Sequence, residues 1–128
     1  DKNMFSTILR NLISNSIKYS RKDISPIISF ACKKINSSDY NELIKEKNAQ
    51  YYKLSISDNG LGFKDEYKDA IFTLFYRLHN NSDYPGTGIG LAICKKIIEN
   101  HKGFITAEST FGEGSTFHIF LPINLNKR

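Results

Sequence analysis

Cysteine is scarce in this chain, with two in 128 residues. Cys32 and Cys94 lie far apart, and neither has a second Cys or His at metal-ligand spacing. That pattern excludes a disulfide framework and a Cys/His zinc site, and it reads as two free thiols in a reducing compartment. Long apolar runs are lacking too. None approaches the roughly 20 residues that a bilayer span needs. The chain opens on Asp1-Lys2-Asn3, with no apolar leader and no initiator Met, so it is expected to be a piece of a longer protein. Also missing is any Gly-Lys-Ser/Thr, which rules out a P-loop.

What is present suffices for one domain. A 40% hydrophobic share at this length supports a single globular core. The net charge of +5 raises the question of nucleic acid. The cations are scattered, however, as Lys33-Lys34, Lys45, Lys47, Lys95-Lys96 and Lys127-Arg128, and no one element collects them. A solvated surface without nucleic-acid binding is expected, with a few cations left to face whatever anion the protein holds.

No internal repeat divides the chain, so residues 1–128 read as one domain. Residues 4–19 have helical periodicity, with Phe5, Leu9, Leu12, Ile13 and Ser16 on one side. Residues 26–35 read as a strand and 36–50 as a polar hairpin loop. Residues 51–58 alternate, placing Tyr52, Leu54, Ile56 and Asp58 on one face. A short helical segment is expected over 67–72 and a helix over 89–101, carrying Ile89, Ile93 and Ile97 and closed by Gly103 as its left-handed cap. Strands at 104–109 and 115–121 follow, the latter with Phe117, Ile119 and Leu121 inward, and residues 123–128 form a tail. Helices on one face of a mixed sheet make a two-layer α/β sandwich.

Four local patterns carry chemistry. Asn11, Asn15 and Lys18 share a helix side within about 60° of one another, away from the apolar stripe. Amide oxygens suit Mg²⁺ and a lysine suits a phosphate; taken alone, the same three residues describe a solvated helix face. Asp58 ends a strand on its core-facing side, where a carboxylate needs donors, and an exocyclic amine of adenine is one. The Asp58-Asn59-Gly60 sequence is equally a common turn. Gly86-Thr87-Gly88-Ile89-Gly90-Leu91 runs from a polar loop into a helix, and its bare backbone N–H groups suit a phosphate. The preceding segment is no strand, which disfavours a dinucleotide-binding fold. Gly112-Glu113-Gly114-Ser115-Thr116 leads into the last strand and by itself is a glycine turn. Arg77, near Phe72 and Phe75, is either a phosphate ligand or a solvent-facing loop residue.

Taken in order, these words resemble the N, glycine and F boxes of histidine kinases, members of the GHKL superfamily with gyrase and the MutL mismatch-repair proteins. Asn11-Leu12-Ile13-Ser14-Asn15-Ser16-Ile17-Lys18-Tyr19-Ser20 is similar to the family's Asn-Leu-Leu-x-Asn-Ala-Ile-Lys-Tyr-Ser, with Ser16 in place of the usual Ala. Ile71–His79 and Pro85–Lys96 are closer still, and the likeness runs from Asp1 to Pro122. It implies a Bergerat fold: a mixed, mostly antiparallel sheet of about five strands against about three helices. It implies ATP and Mg²⁺ as ligands. Asn15 would hold the metal beside Asn11, while Lys18 and Arg77 would hold phosphates. Tyr19 would line the pocket and Asp58 would bind the adenine amine. Thr116 would support the base through water, and Gly60 and Gly62 would let the nucleotide approach. Gly86, Thr87, Gly88, Ile89, Gly90 and Leu91 would shape the phosphate edge, with residues 74–88 as a mobile lid.

One position separates kinase from ATPase. Similar ATPases carry Glu where Asn11 stands, as general base on water. An amide cannot remove that proton, so poor hydrolysis is expected, with catalysis by positioning and charge neutralisation. The nucleophile is not visible in this chain. His79, His101 and His118 are not followed by Glu or Asp, as the family's acceptor motif requires, so each reads as structural or surface. The resemblance implies an acceptor histidine on a dimerisation domain of the same protein, a response regulator as the next partner, and a cytoplasmic domain whose parent is anchored in a membrane, if at all. Two rivals stay open: a serine kinase or ATPase of the same superfamily, and an inactive nucleotide-sensing module.

Overall fold

The computed structural model describes residues 2–73 and 90–123. Helix α1 spans Lys2–Lys18 and strand β1 Ile28–Asn36; β2 covers Gln50–Asp58, α2 Gly90–Asn100, β3 Phe104–Thr110 and β4 Gly114–Pro122. Three short 3-10 turns, at Ser37–Tyr40, Asp65–Tyr67 and Ala70–Phe72, complete the regular structure. The sheet order is β1-β2-β4-β3, and every pairing is antiparallel. The two-layer α/β class is as expected. Among the described residues, though, the sheet has four strands rather than about five and no parallel pair, and the short helix expected over 67–72 is two 3-10 turns flanking Lys68–Asp69.

Both helices cover one face of the sheet. The main core joins Ile8 and Leu12 of α1, Leu91, Cys94 and Ile98 of α2, Ile56 of β2, and Phe117 and Ile119 of β4. The buried row of α1 is therefore Ile8–Leu12–Ser16, and Phe5, expected within the stripe, is largely exposed. In α2 the buried row is Leu91–Cys94–Ile98; Ile93 points outward, because the helix is rotated from its most regular isoleucine ladder. Cys32 and Cys94 are both free, and burial pushes the Cys94 thiol up to about 12, leaving it a packing residue.

The end of α2 corrects the expected cap. Lys102 carries the positive φ, at +66°, and donates to Glu99 O at 3.0 Å, while Gly103 N–H reaches Ile98 O at 2.9 Å. That pair of bonds is the Schellman arrangement, with Lys102 at its left-handed position. Gly103 is required instead because a Cβ there would collide with the Phe120 carbonyl of β4.

The 36–50 connection is less purely polar than expected. Ile44 and Tyr40 fold back with Ile35, Tyr51, Phe104 and Phe120 into a second, smaller core. Nearby, the Nδ1 of His118 lies 2.7 Å from Ser55 Oγ, and its Nε2 2.7 Å from a Glu108 carboxylate oxygen, tying together the three strands β2, β4 and β3. No helix of the described residues is long and apolar enough to cross a membrane.

Candidate nucleotide site

Antiparallel pairing sets Asp58, the last residue of β2, opposite Ser115 near the start of β4. Oδ1 of Asp58 accepts from Gly60 N–H at 2.9 Å and Ser115 N–H at 3.3 Å. Oδ2 receives the Ser16 hydroxyl at 3.1 Å, and the same hydroxyl has the Leu12 carbonyl at 3.1 Å as its alternative acceptor. One proton serves two acceptors there, so Oδ2 keeps capacity for a further donor. Each of these donors to Asp58 is neutral, and the acid is aimed rather than ion-paired.

A narrow cleft of about 20 Å³ joins this acid to α1. It is lined by Asn15, Ser16 and Tyr19 from α1 and its end, by Asp58 and Gly62, and by Leu91, Ser115 and Phe117. Asn15 and Asp58 thus face a single cavity. Asn15 borders the buried row of α1 rather than lying opposite it, because that row is centred on Leu12 and not on the Phe5–Leu9 side. Its side-chain amide has no hydrogen-bond partner among the described residues. Asn11 is held differently: its Nδ2 donates to Thr7 O at 2.9 Å, and its Oδ1 lies where a Cβ on Gly90 would be 3.0 Å away. The amide of Asn11 therefore abuts the first turn of α2. Lys18 is exposed at the last turn of α1, with its ammonium 5.9 Å from the Tyr19 ring centre.

Thr116, expected to support the base, does not line this cleft. Its Oγ1 bonds Ser57 Oγ at 2.8 Å, whereas Ser115 lines the cleft with Asp58. The signal was available, since alternation from the inward Phe117 puts Ser115, not Thr116, on the helix-covered face. Ser16, which stands in place of the usual Ala, is the second residue whose contact with Asp58 the motif did not reveal. Of the other expected site residues, Arg77, Gly86, Thr87, Gly88 and Ile89, and with them the expected lid over 74–88, lie outside the described residues.

The glycines serve the protein itself before any ligand. A Cβ on Gly60 would press on the Tyr19 carbonyl at 2.6 Å. Gly62 has φ +66°, and its Cβ would collide with Thr110 O. Gly62→Ala combines left-handed strain with overpacking, so a loss of about 2–5 kcal/mol is expected, read as a lowered denaturant midpoint. A midpoint within experimental error of the original would show that the Gly62 backbone can relax.

Two helices over an antiparallel sheet, with an aimed acid at a strand end and an amide without a described partner facing it, make a two-layer α/β domain with one candidate ligand cleft. Residues 1–125 match the histidine kinase-, DNA gyrase B- and HSP90-like ATPases, and the chain belongs to that family. It is 39% identical to cyanobacterial phytochrome A of Nostoc sp. over 121 residues, 94% of this chain and 14% of that protein. Against sensor protein RprX of Bacteroides fragilis it is 37% identical over 128 residues, 98% of this chain and 22% of that protein. The chain thus spans under a quarter of the length of these relatives. The fold of a mycobacterial sensor histidine kinase, MprB, matches with TM-score 0.75 at 23% identity, over 95% of this chain and 74% of that one. The nucleotide-free catalytic domain of histidine kinase ThkA matches with TM-score 0.68 at 26% identity, over 95% of this chain and 68% of that one. This is the ATP-binding catalytic type of domain that sensor histidine kinases carry.

Proposed function

We infer that the domain binds Mg-ATP in the Asp58 cleft and transfers the γ-phosphoryl group to a histidine on a separate dimerisation and phosphoacceptor domain of the same protein, for relay to a response regulator. One observation carries this reading. An acid with capacity at Oδ2 and an amide with no described partner face the same small cavity. The donor set fits the metal, since a single neutral oxygen suits Mg²⁺, which keeps waters and phosphates as its other ligands rather than an all-protein cage. No cluster of three or more acidic, His or Cys residues among the described ones offers such a cage.

Asp58 Oδ2 accepts the exocyclic amine of the base. Ser16 turns its proton to Leu12 O or keeps it on the carboxylate. The cleft has the volume of about one water, so its lining must part to admit a purine. Asn15 would present its amide oxygen to the metal, and Lys18, exposed at the last turn of α1, would neutralise phosphate charge. Mg²⁺, when bound, offsets negative charge on the phosphates as it shifts toward the leaving oxygen. Asn11 takes no proton from water, because its amide oxygen is not basic and its nitrogen is fixed on Thr7 O. Hydrolysis should therefore be slow beside transfer.

The test supplies the domain with radiolabelled ATP, Mg²⁺ and a phosphoacceptor domain. Acid-labile, base-stable label on the acceptor should accumulate faster than free phosphate. Free phosphate outpacing labelled acceptor would favour an ATPase.

A further inference from the structure

Beyond α1 the chain turns under the loop that follows Asp58. The Tyr19 carbonyl accepts from Leu61 N–H at 2.8 Å, and the Leu61 carbonyl accepts from Gly112 N–H at 2.6 Å. Arg21 closes this circuit: its Nη1 donates to Gly112 O at 3.0 Å and its Nε to Asn59 O at 3.1 Å. Every other link is backbone to backbone, so Arg21 supplies the one side chain in the ring. The ring flanks both donors to Asp58 Oδ1. Asn59 lies between Asp58 and Gly60, and Gly112 lies in the turn that leads to Ser115. Among the described residues the guanidinium is in no ion pair; two carbonyls of two different loops take its hydrogen bonds. A planar fork reaches two such acceptors at once, which a lysine ammonium, a point charge on a flexible stem, does poorly.

We propose that Arg21 is a positioning residue for Asp58. By holding the Asn59 carbonyl and the Gly112 turn together, it keeps Gly60 N–H and Ser115 N–H on Oδ1, and so keeps Oδ2 turned to the cleft. The inference rests on reading Asp58 as the receiver of the adenine amine. Its signature is a loss of base selectivity, because a released Asp58 no longer tells an amine from a carbonyl. A purely structural role would weaken all nucleotides alike.

The experiment compares binding of ATP and inosine triphosphate, whose base carries a carbonyl in place of the amine, to the chain and its Arg21→Ala and Arg21→Lys variants. The unaltered chain should prefer ATP. Arg21→Ala should bind ATP about tenfold more weakly, equivalent to 1.4 kcal/mol, with inosine triphosphate little changed, so the preference collapses. Arg21→Lys should recover only part of it. An Arg21→Ala protein that keeps the original preference overturns the proposal, even with a lowered melting temperature. Should Arg21→Ala not fold, the preference of Arg21→Lys decides in the same way: a fall supports the proposal and an unchanged ratio overturns it. If the unaltered chain itself binds both nucleotides equally, the fault lies with the reading of Asp58 and not with Arg21.

Discussion

Asp58→Asn should weaken ATP binding about a hundredfold. The substitution keeps the shape and changes what is presented. Oδ1 already receives Gly60 N–H and Ser115 N–H, so the new amide places its oxygen there and its NH₂ where Oδ2 stood. Two donors then face each other: the NH₂ introduced at position 58 and the amine of the base. An unsatisfied buried donor costs about 1–3 kcal/mol, more where a charged partner is lost, and roughly 2.7 kcal/mol is a hundredfold in Kd. The Ser16 hydroxyl, deprived of Oδ2, retains Leu12 O, so the fold should survive. Calorimetric titration with ATP, alongside a melting curve, checks both statements. A folded Asp58→Asn protein with unchanged affinity would remove Asp58 from the site.

Asn15→Ala should abolish the part of ATP binding that depends on Mg²⁺ and slow phosphotransfer at least a hundredfold, about 2.7 kcal/mol in the barrier. The side chain of Asn15 makes no hydrogen bond among the described residues, so its removal should leave stability nearly untouched. That contrast is diagnostic. Alanine is also the better helix former, by a few tenths of a kcal/mol. Titrations with Mg²⁺ and with chelator should give the same affinity for Asn15→Ala and different affinities for the original chain. A variant that still binds ATP more tightly with Mg²⁺ would move the metal elsewhere.

Much of this was legible in the sequence, for identifiable reasons. Strict alternation over 51–58 set β2 and the inward direction of Asp58, since the period of a strand leaves only two choices. Helix faces were harder. The expected stripe of Phe5, Leu9, Leu12, Ile13 and Ser16 held Leu12 and Ser16 correctly, yet α1 adds Ile8 to them and leaves Phe5 exposed, because the neighbouring α2 and the sheet decide which arc is covered. The same tertiary choice turned Ile93 out of the core. Ser115 was overlooked in favour of Thr116 for a different reason. Motif order pointed to the threonine, while the pleat, read from Phe117, already assigned the cleft-facing side to the serine. Arg21 carried no sequence signal at all. Its acceptors are backbone carbonyls 38 and 91 positions away, and no residue-type pattern marks a carbonyl.

In the proposed function, one cavity recognises adenine through Asp58 and the metal through Asn15. Its most direct measurement is a four-way titration of the unaltered chain with ATP and GTP, each with and without Mg²⁺. ATP with Mg²⁺ should bind most tightly, ATP alone less so, and GTP weakly in either condition, because its carbonyl meets the Asp58 carboxylate. Equal binding of ATP and GTP, or ATP binding indifferent to Mg²⁺, would contradict it.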